Sequence, residues 1–446
     1  MAGGNWTAQN KIRPGVYINF ASDTDSSLQV GMRGTVAICE PLSWGAVGEI
    51  KEVAAGADTT PFVGYPIYQP QARFLNEIFK GSDRTNGPTK VLLYRPQASG
   101  QTKAAVTVGT LTATAKYPGV RGNGITMVVT ESADDEGVFT VDTVVDGAVA
   151  DSQTAAAAED LTGNDWVDFS GTGALSETAG APLTGGADGT VETAAYSTFL
   201  TALEPYDFDI LIYDGTDGTV QAAFANFVQR LAENEGRYSQ LVASGVTAPD
   251  DRFVINVNSP SVRLADGTVL TPQQVCWWVG GAEAGAQYNE GLTYASYPDA
   301  VDVFPRMTSA QIEDAITAGQ LVLTPFRGAV HVETDINSLT TYTEKISKVY
   351  HKNRVIRLCN TIANDLLRQF SASYLGVVNN NAEGRDRFKS QIVGYLLTIQ
   401  NGQGIQNFSA EDVEVLAGEE IDSIVVNLAI QAVDAVEKIY MTITVR

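Results

Sequence analysis

Between about residues 100 and 187 the sequence changes kind, and that break constrains the fold more than any other feature. Upstream of it, Thr35-Val36-Ala37-Ile38 reads as a buried strand. Gln71 to Phe79 places Phe74, Leu75 and Ile78 on one helical face, and Val91-Leu92-Leu93-Tyr94-Arg95 is a second apolar strand. Downstream, the same pattern resumes at Thr190. Tyr196 to Leu203 is a short helix, and Phe208 to Tyr213 is a strand ending at Asp214-Gly215. Val220, Ala223, Phe224, Phe227 and Leu231 then recur at helical spacing, and Leu241 to Ala243 and Phe253 to Val257 follow as strands. Thr308-Ser309-Ala310-Gln311 resembles a capping box that opens one more helix. Helix and strand alternating in this way imply a mostly parallel sheet. The stretch between the two halves is rich in Thr, Ala, Val, Gly and Asp, and its only cations are Lys103, Lys116 and Arg121. Short β-type runs such as Ile125 to Val129 and Val138 to Val141 recur there between turn signals. The expectation is a small acidic β-sandwich inserted into an α/β domain, as a variable decoration.

The two chain ends carry a second constraint. Near the start, Val16, Ile18 and Phe20 alternate with Tyr17 and Asn19, a strand pattern followed by the polar run Ser22 to Ser27. At the other end, Ile439, Met441, Ile443 and Val445 alternate in a final strand. A strand behind a polar linker has no near partner in sequence, so its backbone groups must pair elsewhere. Strand addition between subunits requires terminal strands of this kind. In the last third, Ala329 to Glu333 reads as a strand. Val355, Leu358, Ile362, Leu366 and Phe370 stripe one helix; Phe388, Ile392, Tyr395 and Ile399 stripe a second. The run Ile424 to Ile430 is continuously apolar enough to be a central strand. The fold class expected is α/β (α+β mixed) and multidomain. Its parts are an N-terminal arm (1–33), a middle α/β domain (34–100 plus 190–328), the inserted sandwich (101–189), and a C-terminal α/β module (329–446) ending in a strand arm. A length of 446 residues suits roughly two to four domains.

Composition narrows the function. The formal net charge of -23 disfavours nucleic acid and anionic membranes as partners. No apolar run reaches the roughly 18 residues of a membrane span, and the polar, Gly-rich start lacks the pattern of a secretory signal. Cys39, Cys276 and Cys359 lie far apart, which suggests neither a disulfide framework nor a zinc site. The only histidines are His331 and His351, and no Gly-x-Ser-x-Gly elbow or phosphate-binding glycine loop is present. Asp207, Asp209 and Asp214 flank one strand and read as turn and cap residues rather than metal ligands. The expectation is therefore no catalytic residue, no metal and no cofactor.

One charge pattern stands apart. Lys345, Lys348, Lys352, Arg354, Arg357, Arg368, Arg385, Arg387 and Lys389 face only Asp365, Glu383 and Asp386 in that stretch. A basic run inside so acidic a chain suggests a surface for an acidic partner, with a solvated helix face as the plain alternative and nucleic acid as the runner-up partner, disfavoured by few interleaved aromatics and no binding motif.

At this point the chain resembles the tail sheath family of contractile phages and phage-like bacteriocins. The likeness is carried by Arg13-Pro14-Gly15-Val16-Tyr17-Ile18, by Ala115 to Ile125, by Leu183 to Gly189, and by Val332 to Leu339, in that order along nearly the whole chain. The resemblance implies a structural subunit that stacks as hexameric rings in a helical array around an inner tail tube protein, and contracts to drive the tube through a cell envelope. It implies terminal arms that add strands to neighbouring copies: Val16, Tyr17, Ile18 and Phe20 at one end, Ile439, Met441, Ile443 and Val445 at the other. It further implies baseplate and tail terminator proteins as partners, and residence in a virion tail or phage-like particle assembled in the bacterial host cytoplasm. Lys345, Lys348, Lys352, Arg385, Arg387 and Lys389 are then candidates for tube contact. The rival reading is a secreted or surface-layer adhesin, which shares the acidic Thr-rich insert but should carry an export signal.

Overall fold

The computed structural model describes residues 2–4, 15–17, 30–133 and 135–445, the first two stretches as backbone only. Seven strands form its central sheet: β1 (Thr35–Cys39), β2 (Ile50–Ala54), β3 (Lys90–Tyr94), β4 (Ile210–Tyr213), β5 (Gln240–Ser244), β6 (Val254–Val257) and β7 (Gln320–Leu321). Their spatial order is β7-β6-β5-β4-β1-β3-β2, parallel throughout except for β2 against β3. Val36 and Ile38 of β1 enter one apolar core, while Ala37 and Cys39 enter another on the opposite face. Burial on both faces is why these strands read as unbroken apolar runs.

Helices α1 (Arg73–Phe79) and, further along, α4 (Pro272–Gly285) cover the first face; α2 (Thr193–Leu203) and α3 (Gly218–Glu235) cover the second. The sequence reading passed over α4. Its N-terminal signal is complete: Thr271 caps it, Gln274 closes a capping box, and Pro272 occupies the first turn. The helix is buried on all sides, so it shows no amphipathic stripe. A Cβ at Gly281 would lie 1.9 Å from the Ile78 carbonyl, so glycine there lets α4 press against α1. α5 (Ser309–Thr317) opens with the capping box of Thr308 and Gln311.

The insert is a sandwich of a four-stranded and a three-stranded sheet, with strands between Ala105 and Pro182. Phe139–Val145 alternates buried and half-buried residues, as one inward face demands. Trp44 of the middle domain completes the sandwich core, buried to 1% exposure.

Past the sheet, Ala329–Val332 pairs antiparallel with Leu323–Phe326, and Val330 and Val332 lie in the core beside α4. A boundary between 328 and 329 would split that hairpin; the strand lies in a separate three-stranded sheet that packs into the middle-domain core. The chain then enters two long helices, α6 (Asn353–Ser373) and α7 (Ala382–Asn401), and a terminal hairpin of β8 (Val413–Ala417) and β9 (Ile424–Leu428).

Candidate functional site

α6 and α7 lie antiparallel, because the apolar stripe of each faces the other. Phe370 near the end of α6 stacks on Phe388 near the start of α7, with centroids 4.1 Å apart. Leu358 and Ile362 share a core with Ile392, Tyr395 and Ile399. Asn381 accepts from the Gly384 N–H at 2.8 Å and fixes the start of α7.

Against this helix pair sits the β8–β9 hairpin, in register from Val413↔Leu428 to Ala417↔Ile424. Val413, Val415 and Leu428 turn toward the helices. Leu416 and Val425 turn outward, at 44% and 47% exposure. The central position expected for Ile424 to Ile430 is therefore corrected. β9 has β8 as its one partner among the described residues, and its other edge is open. Apolar side chains on both faces mimic a central strand in sequence; here they belong to a two-stranded hairpin with one open edge. Beside that edge, Phe370, Tyr374, Leu375, Phe388, Ile424 and Val426 line a groove of about 270 Å³.

The chain ends differ from each other. Ile439, Met441, Ile443 and Val445 form no strand and stand 77%, 76%, 78% and 91% exposed. The alternation is present, but among the described residues no strand pairs with it. At the start, Gly15–Tyr17 pairs in parallel with Ala2–Gly4. The described part of that arm, with Val16 and Tyr17, thus has a short mate in its own chain. Ile18 and Phe20 lie outside the described residues.

The basic run is divided. Lys345 and Lys348 are exposed before α6, while Arg385, Arg387 and Lys389 sit on the first turns of α7, beside the far end of α6. The 21 residues of α6 separate the two groups by about 30 Å at 1.5 Å per residue. Lys352 is paired with Glu437 inside the chain. Arg385 donates to the Asn380 side-chain oxygen at 3.0 Å.

Arg357 is no surface cation at all. Its guanidinium is fully buried between α6 and the middle domain, paired with Glu283 of α4 and, at 2.8 Å, with Asp335. It also donates to the Glu290 carbonyl at 2.8 Å. Asp335 further accepts from the Leu292 N–H at 2.9 Å and the Asn353 side chain at 2.8 Å. Burial alone would raise the Asp335 carboxyl; the Arg357 charge and these donors hold it down at about 2. Glu283, buried with Asp335 beside it, is pushed well above the usual carboxylate range despite Arg357. On the same seam, Asp209 pairs with Arg33 at 3.4 Å and accepts from Gly34 and Thr35 N–H groups. Asp365 accepts from the Gly31 N–H and the Tyr395 hydroxyl, each at 2.8 Å. Sequence reading missed this seam; the signal was Glu283, a lone acid in an otherwise uncharged helix.

Both histidines are tied to structure. His351 Nδ1 meets the Leu339 carbonyl at 2.7 Å, and His331 Nδ1 meets the Ser296 hydroxyl at 3.1 Å. Asp214 accepts from Trp277 Nε1 at 2.8 Å, and Asp207 pairs with Arg237. Among the described residues no His, Cys, Asp and Glu group is placed to hold a metal ion, and no helix is long and apolar enough to cross a membrane.

Comparison with known proteins gives a consistent picture. Residues 99–188 match the phage tail sheath protein beta-sandwich domain, 189–338 the phage tail sheath protein central domain, and 346–446 the phage tail sheath C-terminal domain. The phage-like element PBSX protein XkdK of Bacillus subtilis is 34% identical over 474 residues, covering 100% of both chains. The crystal structure of a sheath tail protein from Desulfitobacterium hafniense is 45% identical. It superposes with a TM-score of 0.86 over 96% of this chain and 99% of that one. At 14% identity, the helical sheath of the anti-feeding prophage in its contracted state shares the fold, with a TM-score of 0.57 over 97% of this chain and 99% of that one.

Proposed function

The chain belongs to the phage tail sheath family, and from that premise we propose that it polymerises as stacked hexameric rings around an inner tail tube and contracts to drive the tube through a cell envelope. The observation that carries the linkage is a match of parts left open in one subunit. A C-terminal run exposes alternating Ile439, Met441, Ile443 and Val445, and a terminal hairpin exposes an unpaired edge beside an apolar groove. The run of one copy adds to the β9 edge of a neighbour. Backbone hydrogen bonds supply affinity, and alternate side chains fill the groove. Val16 and Tyr17, with Ile18 and Phe20, serve the other arm by exchanging the short Ala2–Gly4 mate for a neighbour's strand.

Arms joined this way keep subunits linked while their bodies repack, so contraction is a switch between two packings of a nearly rigid subunit. Lys345, Lys348, Arg385, Arg387 and Lys389 remain the candidates for the tube face. Exposed ion pairs are each worth roughly 0–1 kcal/mol, which suits a surface that must release. The virion tail or a phage-like particle is the site of action, with assembly in the host cytoplasm, and baseplate and tail terminator proteins bound the polymer.

Deleting Ile439 to Arg446 tests the reading. The truncated chain should stay folded, because the described residues 439–445 are exposed, yet form no filaments by electron microscopy at concentrations where the full chain polymerises. Long sheaths from the truncated chain would overturn strand addition.

A further inference from the structure

The C-terminal run does not leave its subunit gradually; it is pinned and then released. Gln431–Ala432 pairs with Ile405–Gln406, and the Val433 N–H donates to the Gly404 carbonyl at 2.9 Å. Two acids of the tail then meet the first cations of α6. Asp434 faces Arg354, and Glu437 pairs with Lys352, the residue that immediately precedes α6. The other Glu437 oxygen, Oε1, accepts from the Thr293 hydroxyl at 2.8 Å. That hydroxyl in turn accepts from the Asp335 N–H at 2.9 Å, next to the buried carboxylate held by Arg357. The Lys352 and Glu437 side chains are only 22% and 17% exposed, so the contact is sheltered rather than a loose surface pair. From Ile439 to Val445 every large apolar side chain is at least 76% exposed.

We propose that Glu437, held by Lys352 and Thr293, is a permanent anchorage for the C-terminal arm. Its root stays on its own subunit in the polymer, and only the residues beyond Lys438 cross to a second copy of this chain. The inference rests on the strand-addition reading above. It also sets a reach: seven described residues, 439–445, span at most about 24 Å at ~3.4 Å each, so residues 439–445 must meet the accepting edge within that distance of Lys438. A fixed root raises the effective concentration of the arm at one neighbouring edge and lowers it elsewhere. Lys352 is then a positioning residue for assembly, and its charge is not available to a tube.

Hydrogen exchange on the full-length protein, as monomer and as assembled sheath, reads this directly. The Val433 amide should stay protected in both states and 434–438 should gain no protection, while 439–445 gain it on assembly. Loss of protection at Val433, or new protection across 434–438, in the sheath would overturn the anchorage. Glu437→Lys should leave thermal unfolding of the monomer near that of the parent and raise the concentration needed for polymerisation by about tenfold, through the lost effective concentration. The double variant K352E/E437K, with the charges exchanged, should restore it. Polymerisation of Glu437→Lys at the parental threshold, or no rescue by the double variant, would also overturn it. The deletion of 439–446 separates the two ideas. If the deletion blocks assembly and Glu437→Lys does not, only the anchorage falls; if the deletion assembles, strand addition falls with it.

Discussion

The inserted sandwich and the C-terminal module are of similar length, yet they treat their apolar surface in opposite ways. Among the described residues of 99–188, Val120 and Val149 are the only large hydrophobics that stand exposed; in 346–446 there are sixteen. Scattered exposure is ordinary, but a continuous exposed apolar run at 439–445, and an open hairpin beside an apolar groove elsewhere on the module, are not. The sandwich is closed and fastened. Arg121 donates from Nε to the Gly64 carbonyl at 2.9 Å and grips Asp146 with both terminal nitrogens at 2.8 and 2.7 Å. It also lies over the Tyr65 ring at 4.1 Å. Trp44 packs edge-on to Tyr117 at 5.3 Å and beside Trp166 at 4.9 Å. These contacts fasten the insert to the middle domain. The C-terminal module is fastened too, by the buried seam, and open at its far side. Under the proposed strand addition, that division leaves the open side free to meet other copies while the fastened parts hold the body together.

The two fastenings can be broken separately, and the seam should cost more. Arg357→Met leaves Asp335 and Glu283 buried without their cation, and losing one partner of a buried pair costs about 3–5 kcal/mol. Denaturant unfolding of the monomer should show a loss of that size; a change within 1 kcal/mol would mean that water already reaches the seam. The pH profile sharpens the point. The Asp335 carboxyl titrates near 2 in the folded chain against an ordinary 3.8, so its contribution is complete above 3.8 and lost as pH falls through 2. The parent should show that acid loss, and Arg357→Met should flatten it, since the charge that holds Asp335 down is gone.

Arg121→Ala should cost less, about 2 kcal/mol, the order expected for charged hydrogen bonds lost at a partly exposed pair. Its signature is local. Protease should cut first at the hinges of the insert, around Ser99 to Thr102 and Ala187 to Thr190, where the two chain passages pair with each other. Uniform destabilisation without such cutting would mean that the aromatic contacts of Trp44 hold the mount unaided.

How much of this contrast was legible in the sequence differs between the two regions for physical reasons. The sandwich announced itself through composition and through alternation such as Phe139-Thr140-Val141, because one buried face writes a period of two. Its mount did not, since Arg121 and Gly64 are far apart in the chain and neither is unusual alone. The long helices were visible through their stripes, whereas α4 was hidden by being buried all round. The cations of the last third were legible as a run but not as a surface. Folding buried Arg357, paired Lys352 with the tail, and set Lys345 and Lys348 about 30 Å from Arg385, Arg387 and Lys389 along α6. The terminal run was legible because its pattern outlives the absence of a partner. The apolar stretch at Ile424 was read as a central strand because it is apolar on both faces, although among the described residues it has one strand partner.

That last point yields the smallest effect on the subunit and the cleanest separation of folding from assembly. Val425 lies on the outward face of β9, 47% exposed, opposite Leu416 at 44%. Replacing Val425 by Asp removes little buried area, so monomer stability should change by no more than about 0.5 kcal/mol, the usual range for a surface position. In the polymer the same position sits in the widened sheet, and a carboxylate there would be desolvated without a cation. Sedimentation should then show monomer where the parent forms sheath, with thermal unfolding of the two monomers superimposed. If Val425→Asp polymerises like the parent, the outward face of the hairpin stays wet in the lattice, and the open edge alone carries the contact. If instead the monomer loses several kcal/mol, the hairpin is covered within its own subunit, and the contrast between a closed insert and an open C-terminal module no longer holds.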